Sequence, residues 1–249
     1  MKLTQNWFKE LLCGQYICRL VQTPEDLREA QKLRFQVFNL ELKEGLDEAF
    51  TTGRDEDPFD IICDHLIVED RASGRIVGTY RLQSGIKAKK GLGYYSEQEF
   101  DFSPFESMRH EMLELGRACI HKSHRNLASL SLLWKGIARY AMNYDLRYFI
   151  GCSSLTSQDP DAGLEVFRML KERFLTLPHL RTKPLPKYAC PFEEQPETQP
   201  EIPKLLRAYL TVGAQICGPP ALDKAFGTID FLTLLDLNKL SARTLRRYF

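Results

Sequence analysis

No apolar run in this sequence approaches the roughly 20 residues that a helix needs to cross a bilayer, so no membrane-spanning segment is expected. Nor is there a C-x-x-C pair. The seven cysteines are odd in number and scattered, which argues against a disulfide framework or a zinc site. Charge of one sign is also missing: 34 Lys and Arg face 33 Asp and Glu, leaving a net +1 and no support for coating nucleic acid. Any electrostatic recognition must be local. Residues 1–16 mix Lys2, Lys9 and Glu10 with apolar side chains and lack the apolar core and small-residue cleavage site of a secretory signal, so a cytoplasmic location is expected. No internal repeat occurs. What the chain does have is core-forming material, 43% hydrophobic over 249 residues, enough for a single domain spanning 1–249.

Residues 16–21 (YICRLV) read as a short strand. Thr23 as N-cap, Pro24 at the first helical position and Asp26 in the first turn then open a helix. Its buried face carries Leu27, Ala30, Leu33 and Val37, and it is expected to end near Phe38 to Leu40. Residues 41–60 hold eight acids against two bases and read as an acidic, solubilising loop. Residues 63–70 and 75–83 read as two strands joined by the turn-prone Arg71-Ala72-Ser73-Gly74, a hairpin. Lys87, Lys89 and Lys90 follow in a polar stretch. Ser96 and Glu99 have the spacing of a capping box before Pro104.

A longer strand at 111–121 (EMLELGRACIH) runs through the turn 122–126 into a helix whose apolar positions include Leu130, Leu133, Trp134, Ile137 and Ala141. Residues 147–152 read as another strand, and Asp159-Pro160 starts a helix toward Phe174. Six of the chain's 13 prolines fall within 184–203, which reads as a connector or surface excursion. Beyond it, 204–215 suits a helix, 229–237 a last buried strand, and Ser241 a cap for an arginine-rich terminal helix.

The segment Glu114-Leu115-Gly116-Arg117 carries the chemistry. Strict alternation would put Glu114 and Arg117 on opposite faces, but Gly116 tolerates a bulge that would rephase the strand and free a backbone N–H. Aminolysis of a thioester requires a free amine, a base for its proton and donors for the carbonyl oxygen. Glu114 is the candidate base, and an N–H near Gly116 the candidate oxyanion donor. The turn into the following helix offers N–H groups for a pyrophosphate or phosphopantetheine phosphate, with Arg125 adding charge. A Glu and an Arg three apart otherwise read as a structural ion pair. His121 and His124 lack clustered partners for a metal, so no metal is expected.

Residues 60–65 (DIICDH), 78–82 (GTYRL), 114–119 (ELGRAC), 121–125 and 227–237 (GTIDFLTLLDL) resemble the ornithine lipid N-acyltransferases, and the resemblance spans about residues 15–249. Some members of that family carry a hemolysin label and others acylate glycine. The resemblance implies an α/β (α+β) GNAT-like acyltransferase fold: a mixed central sheet with a splayed or bulged central strand and helices on both faces. It also implies transfer of a 3-hydroxyacyl chain from acyl carrier protein to the α-amine of ornithine, giving lyso-ornithine lipid. The donor is then a phosphopantetheine thioester, with no bound cofactor.

Acyl-homoserine-lactone synthases share the arrangement more distantly, and their functional pattern falls on Arg34, Phe38, Asp60, Asp64, Arg81, Glu114 and Arg117. Two departures weaken the signal-synthase reading: no tryptophan follows shortly after Phe38, and Arg81-Leu82 continues as Gln83-Ser84. The turn Arg125-Asn126-Leu127-Ala128-Ser129 contains no glycine, unlike the pyrophosphate loop of coenzyme A-dependent acetyltransferases.

The expected arrangement places the acyl-pantetheine arm along the strand past Cys119 and His121, with its phosphate near Arg125 and Asn126. Glu114 accepts the amine proton, directly or through water. Arg81 and Arg117 hold the substrate carboxylate or organise Glu114 and Asp64, and Asp60 and Asp64 face the second ammonium of ornithine. A basic patch of Lys87, Lys89, Lys90, Lys122, Arg125, Lys135 and Arg139 would meet acidic acyl carrier protein. Arg243, Arg246 and Arg247 with Tyr248 and Phe249 are weighed as a peripheral membrane contact against an ordinary helix end. The residues alone do not separate ornithine from glycine or lysine. A small-molecule acetyltransferase and a non-catalytic interaction protein remain the other two classes.

Overall fold

The computed structural model describes residues 7–191 and 201–248. In chain order these form β1 (Leu11–Cys13), β2 (Tyr16–Leu20), α1 (Pro24–Phe35), α2 (Ala49–Thr52), β3 (Asp64–Asp70), β4 (Arg75–Ser84), α3 (Gly85–Lys90), β5 (Met112–Ile120) and α4 (Leu127–Asn143). There follow β6 (Tyr148–Leu155), α5 (Pro160–Phe174), α6 (Lys204–Val212), β7 (Gln215–Ile216), β8 (Ala221–Asp223), β9 (Thr228–Asp236) and α7 (Ala242–Tyr248). Among the described residues, no helix is long and apolar enough to cross a membrane.

The chain divides into two compact units. The first comprises Met1–Gln83, Leu115–Leu146 and Ala242–Phe249. Here β1, β2, β3 and β4 form an antiparallel ladder, and the later half of β5 lies beside β4, where His121 N–H donates to the Val77 carbonyl at 2.8 Å. Leu66, Ile67 and Val68 on β3 are all buried, so both faces of that strand need cover. The apolar face of α4, carrying Leu133, Ile137, Tyr140 and Ala141, supplies it for one. Gly136 permits the approach: a Cβ there would stand 2.7 Å from Leu66 Cδ2 and 2.9 Å from Cys18 Sγ. Two cappings set the helix starts, the first of them anticipated from sequence. Thr23 and Asp26 cap α1 reciprocally, and Asn126 caps α4 by accepting from the Ala128 and Ser129 amides.

The second unit comprises Ser84–Glu114 and Arg147–Ser241. Its spine is the antiparallel ladder of β6 with β9, running from Tyr148↔Asp236 to Leu155↔Ile229. β7 and β8 pair with different halves of β9, and Met112–Glu114 of β5 pairs in parallel with residues 148–150 of β6. Phe100, Phe102, Phe105, Met112 and Ile150 fill one core cluster, and α5 and α6 press Val166, Leu170, Leu206 and Leu210 against Ile229 and Phe231 in another.

Several expectations need correction. The first helix does not stop near Phe38 to Leu40: α1 ends at Phe35 and the winding loosens into a π-helical stretch over Gln36–Leu42. The Lys87 stretch is helical, as α3. Ser96 and Glu99 form no capping box, because the Ser96 hydroxyl turns to Glu114 instead. The strand edges β1, β7 and β8 are too short to carry a readable alternation. Within 184–203, Leu185 N–H donates to the Glu99 carbonyl at 2.7 Å and Ala189 bridges to Ala221, while 192–200 lie outside the described residues. Tyr248 packs on Trp134 with ring centres 5.7 Å apart, which turns its ring inward; Phe249 lies outside the described residues.

Candidate active site

The acidic stretch after α1 is far from a plain solubilising loop. Its segment Asp55-Glu56-Asp57-Pro58-Phe59-Asp60 delivers three aspartates into the interior of the first unit, with Asp55 0% and Asp60 2% exposed. The local fold follows from residue type: Asp57 accepts from the Phe59 amide at 2.8 Å and Pro58 opens a 3-10 turn over Pro58–Ile61, which points Asp60 inward.

Three arginines from three other elements meet these aspartates and close a ring of alternating charge. Arg34 of α1 lies 2.8 Å from Asp55 Oδ2 and 2.5 Å from Asp60 Oδ2. Arg81 of β4 donates to Asp60 Oδ1 at 3.0 Å and to both Asp57 oxygens at 2.6 and 2.7 Å. Arg117 of β5 completes the circuit, reaching Asp57 Oδ2 and Asp55 Oδ2, each at 3.1 Å. Gln31 adds a donor to Asp60 at 3.0 Å. Three positive and three negative groups cancel, which is how so many charges are tolerated away from water.

Burial opposes ionisation of Asp60, but the charge and hydrogen bonds of Arg34, then Arg81, more than offset it and hold the carboxyl well below the usual range. Asp57 is lowered by the same balance, with Arg81 and Arg117 outweighing burial. His65 Nε2–H donates to the Asp60 carbonyl, 3.0 Å away, and burial lowers its pKa to about 4, so the ring is neutral at pH 7.

Glu114, in the second unit, is 6% exposed. The Tyr95 amide donates to Oε2 at 2.8 Å, the Ser96 amide to Oε1 at 2.8 Å, and the Ser96 hydroxyl also donates to Oε1. The carboxylate is thereby aimed from the last residue of the β5–β6 ladder, Glu114↔Ile150. The irregularity expected at Gly116 falls one residue later: Arg117 has φ 47°, while a Cβ on Gly116 would meet nothing within 4 Å. A left-handed non-glycine residue costs roughly 1–2 kcal/mol. The two ion pairs of Arg117 hold it there.

Of the anticipated residues, Arg34, Asp60, Arg81 and Arg117 come together, and the neighbouring Phe38 is buried on the π-helical stretch. Asp64 is engaged elsewhere, accepting from the Tyr140 hydroxyl at 2.6 Å. Cys119 is buried and its thiol pushed up to about 12, chiefly by burial. His121 Nδ1 faces the Ser123 amide at 3.3 Å. Arg125 is paired with Glu41 at 2.5 Å and donates to the Ile120 carbonyl at 2.9 Å. Asn126 spends its carbonyl oxygen on the first amides of α4.

Sequence reasoning passed over Asp55, Asp57, Tyr95 and Ser96. A usable signal existed for the aspartates, since Asp-x-Asp-Pro-x-Asp puts a cap, a proline and a third carboxylate at fixed offsets. Nothing local announces that the amides of Tyr95 and Ser96 will meet Glu114.

Comparison with known proteins adds three findings. Residues 33–135 match the family profile described as an acetyltransferase (GNAT) domain. The L-ornithine N(alpha)-acyltransferase of Brucella abortus (strain 2308) is 32% identical over 252 residues, covering 94% of this chain and 89% of that one. Among solved structures, FeeM, an N-acyl amino acid synthase from uncultured soil microbes, superposes with a TM-score of 0.55 at 11% identity over 90% of this chain and 91% of that one. The AHL synthase LasI gives 0.51 at 16% identity over 94% of each chain. At such identities the two structures speak for the fold.

Proposed function

The chain belongs to the L-ornithine N(alpha)-acyltransferase family, and on that premise we propose that it transfers a 3-hydroxyacyl group from acyl carrier protein to the α-amine of ornithine, giving lyso-ornithine lipid. It is an acyltransferase with a GNAT-like fold and an amino-acid acceptor. In the proposed step the neutral amine attacks the thioester carbonyl, the C–N bond forms, and the C–S bond breaks to release the phosphopantetheine thiol. Glu114 accepts the amine proton, directly or through water, and that proton is then passed to the leaving thiolate.

The observation that carries this reading is the fixing of Glu114 by three donors at the end of its ladder. A carboxylate positioned in advance loses no freedom when the amine arrives. Backbone N–H groups at Gly116 and Arg117 are the proposed donors to the carbonyl oxygen. Arg81 and Arg117 are the proposed contacts for the amino acid's carboxylate, held in place by Asp57 and Asp60. The arm of the donor is assigned to β5 past Cys119 and His121, with Arg125 and Asn126 nearest its phosphate. The absence of glycine from 125–129 favours acyl carrier protein over coenzyme A as the carrier.

The test is acylation by the purified chain. Acyl carrier protein charged with a 3-hydroxyacyl group and ornithine should yield N-acylornithine by mass spectrometry, and Glu114→Gln should lower the rate by about 10²-fold or more with the circular dichroism unchanged. A fully active Glu114→Gln protein removes Glu114 from the step. Turnover with acetyl coenzyme A alone would replace this reading by a small-molecule acetyltransferase.

A further inference from the structure

Glu114 meets its donors on a short helical turn, Tyr95–Gln98, that is locked to the start of β5 from its other side. The hydroxyl of Tyr94, the residue before the turn, donates to the Met112 carbonyl at 3.3 Å, and the Arg109 guanidinium lies over the Tyr94 ring, 5.0 Å from its centre. Arg109 pairs with Glu97 inside the turn and with Glu106 at 2.5 Å. Gly85 lets these segments close: a Cβ there would stand 1.8 Å from the Arg109 carbonyl oxygen and 2.6 Å from the Tyr94 hydroxyl. Ser96 sits within this clamp with none of its surface exposed, so its hydroxyl is sealed from bulk solvent. It donates to Glu114 Oε1.

Aiming the carboxylate needs only the two amides; the hydroxyl adds control of its charge. Burial disfavours the ionised form of a carboxyl, and a donor that bonds that form favours it. Donation to a charged acceptor is about twice as strong as to a neutral one, so the net pull of the Ser96 hydroxyl is toward the carboxylate, by about one pH unit. A backbone amide can only donate. A hydroxyl also carries lone pairs, so once Glu114 is protonated the same side chain can reverse and accept from the new O–H. Ser96 is thus able to bond Glu114 in both of the states that a general base passes through.

We propose that Ser96 is a positioning residue for the acyl transfer, its hydroxyl setting the pH at which the Glu114 carboxyl can take up the amine's proton. The proposal rests on the assignment of Glu114 as the base. The hydroxyl, not the shape of the turn, carries the effect, since Tyr94, Glu97 and Arg109 keep the turn in place without it.

NMR of the full-length protein, with glutamate isotopically labelled at the carboxyl carbon and the Glu114 signal identified by its loss in Glu114→Gln, reads this ionisation without turnover. Ser96→Ala should raise the Glu114 midpoint by about one pH unit, and Ser96→Thr, which restores a hydroxyl, should bring it back toward the wild-type value. The low-pH break in the profile of kcat/KM for ornithine acylation should move by the same amount. A Glu114 midpoint that does not move in folded Ser96→Ala overturns the proposal; a serine with only a structural role would change the yield of folded protein and leave the midpoint in place. Should Ser96→Ala fail to fold, Ser96→Cys decides, because it keeps a side chain of similar size with only a weak S–H donor and should shift the midpoint in the same direction. An unmoved midpoint there refutes the proposal too. The two ideas fail separately: a midpoint that moves while the rate profile stays put removes Glu114 from the reaction and leaves the hold of Ser96 on its carboxyl standing.

Discussion

Replacing Arg34 by methionine tests whether the charged ring is a structural unit. Methionine roughly conserves volume, so the main effect is electrostatic. Removing one partner of a buried ion pair costs about 3–5 kcal/mol when the other is left alone. Here neither aspartate is abandoned: Asp60 keeps Arg81 and Gln31 at 3.0 Å each, and Asp55 keeps Arg117 at 3.1 Å. The loss should therefore lie near the lower figure, about 3 kcal/mol. With a urea dependence of about 3 kcal/mol per molar, the unfolding midpoint falls by about 1 M. Both tryptophans, Trp7 and Trp134, belong to the same unit as the ring, so indole fluorescence follows the relevant transition. The Asp60 carboxyl is held below its ordinary value and so contributes stability that acid removes only at very low pH, which means the deficit should persist down to pH 4. Because the ring is closed, Arg34→Met combined with Asp60→Asn should cost less than the two changes summed. A midpoint shift under about 0.3 M, or strict additivity, would show that the six groups act as separate surface-like pairs.

Three other changes probe the frame. His65, lowered to about 4 by burial, stays neutral in the folded protein where the unfolded chain takes up a proton near pH 6.5; stability should fall between pH 6.5 and 4 by about 3 kcal/mol, and His65→Gln should flatten that slope in urea titrations at stepped pH. Gly136→Ala places a Cβ 2.7 Å from Leu66 and should destabilise the first unit by about 1–3 kcal/mol, seen as a lower Tm; an unchanged Tm would mean α4 can lift from β3 freely. Asp145 is exposed with φ 53°, so Asp145→Gly should be neutral or stabilising by up to about 1 kcal/mol, and a clear loss would contradict the left-handed turn after α4.

How far the sequence could be read depended on the range of each signal. The helix start at Thr23-Pro24 was visible because a cap acts over three residues, that of α4 because the polar turn 122–126 gives way to apolar residues at helical spacing, and β3, β4 and β6 because each contains a short apolar run such as Leu66-Ile67-Val68. The ends of elements drifted where tertiary contacts decide them: α1 loosens into a π-helical stretch instead of stopping. Glu114 and Arg117 could be singled out by type and spacing, and Arg34 and Arg81 through the resemblance to acyl-homoserine-lactone synthases, but the Asp55 and Asp57 that hold the arginines were hidden inside a run of acids whose burial only the fold reveals. Tyr95 and Ser96 lie 19 and 18 residues before Glu114 and share no motif with it, so no reading along the chain would join them. Gly116 drew suspicion as the flexible position, when two ion pairs let Arg117 adopt the unusual backbone instead.

The first unit is stitched from three separate stretches, the last of them α7, whose Tyr248 lies on Trp134. A nascent chain leaving the ribosome must therefore hold α4 and its sheet partly uncovered while some hundred further residues are synthesised and folded into the second unit. Expression of fragments cut before residue 242 should leave that apolar helix surface bare, a target for chaperones and proteases.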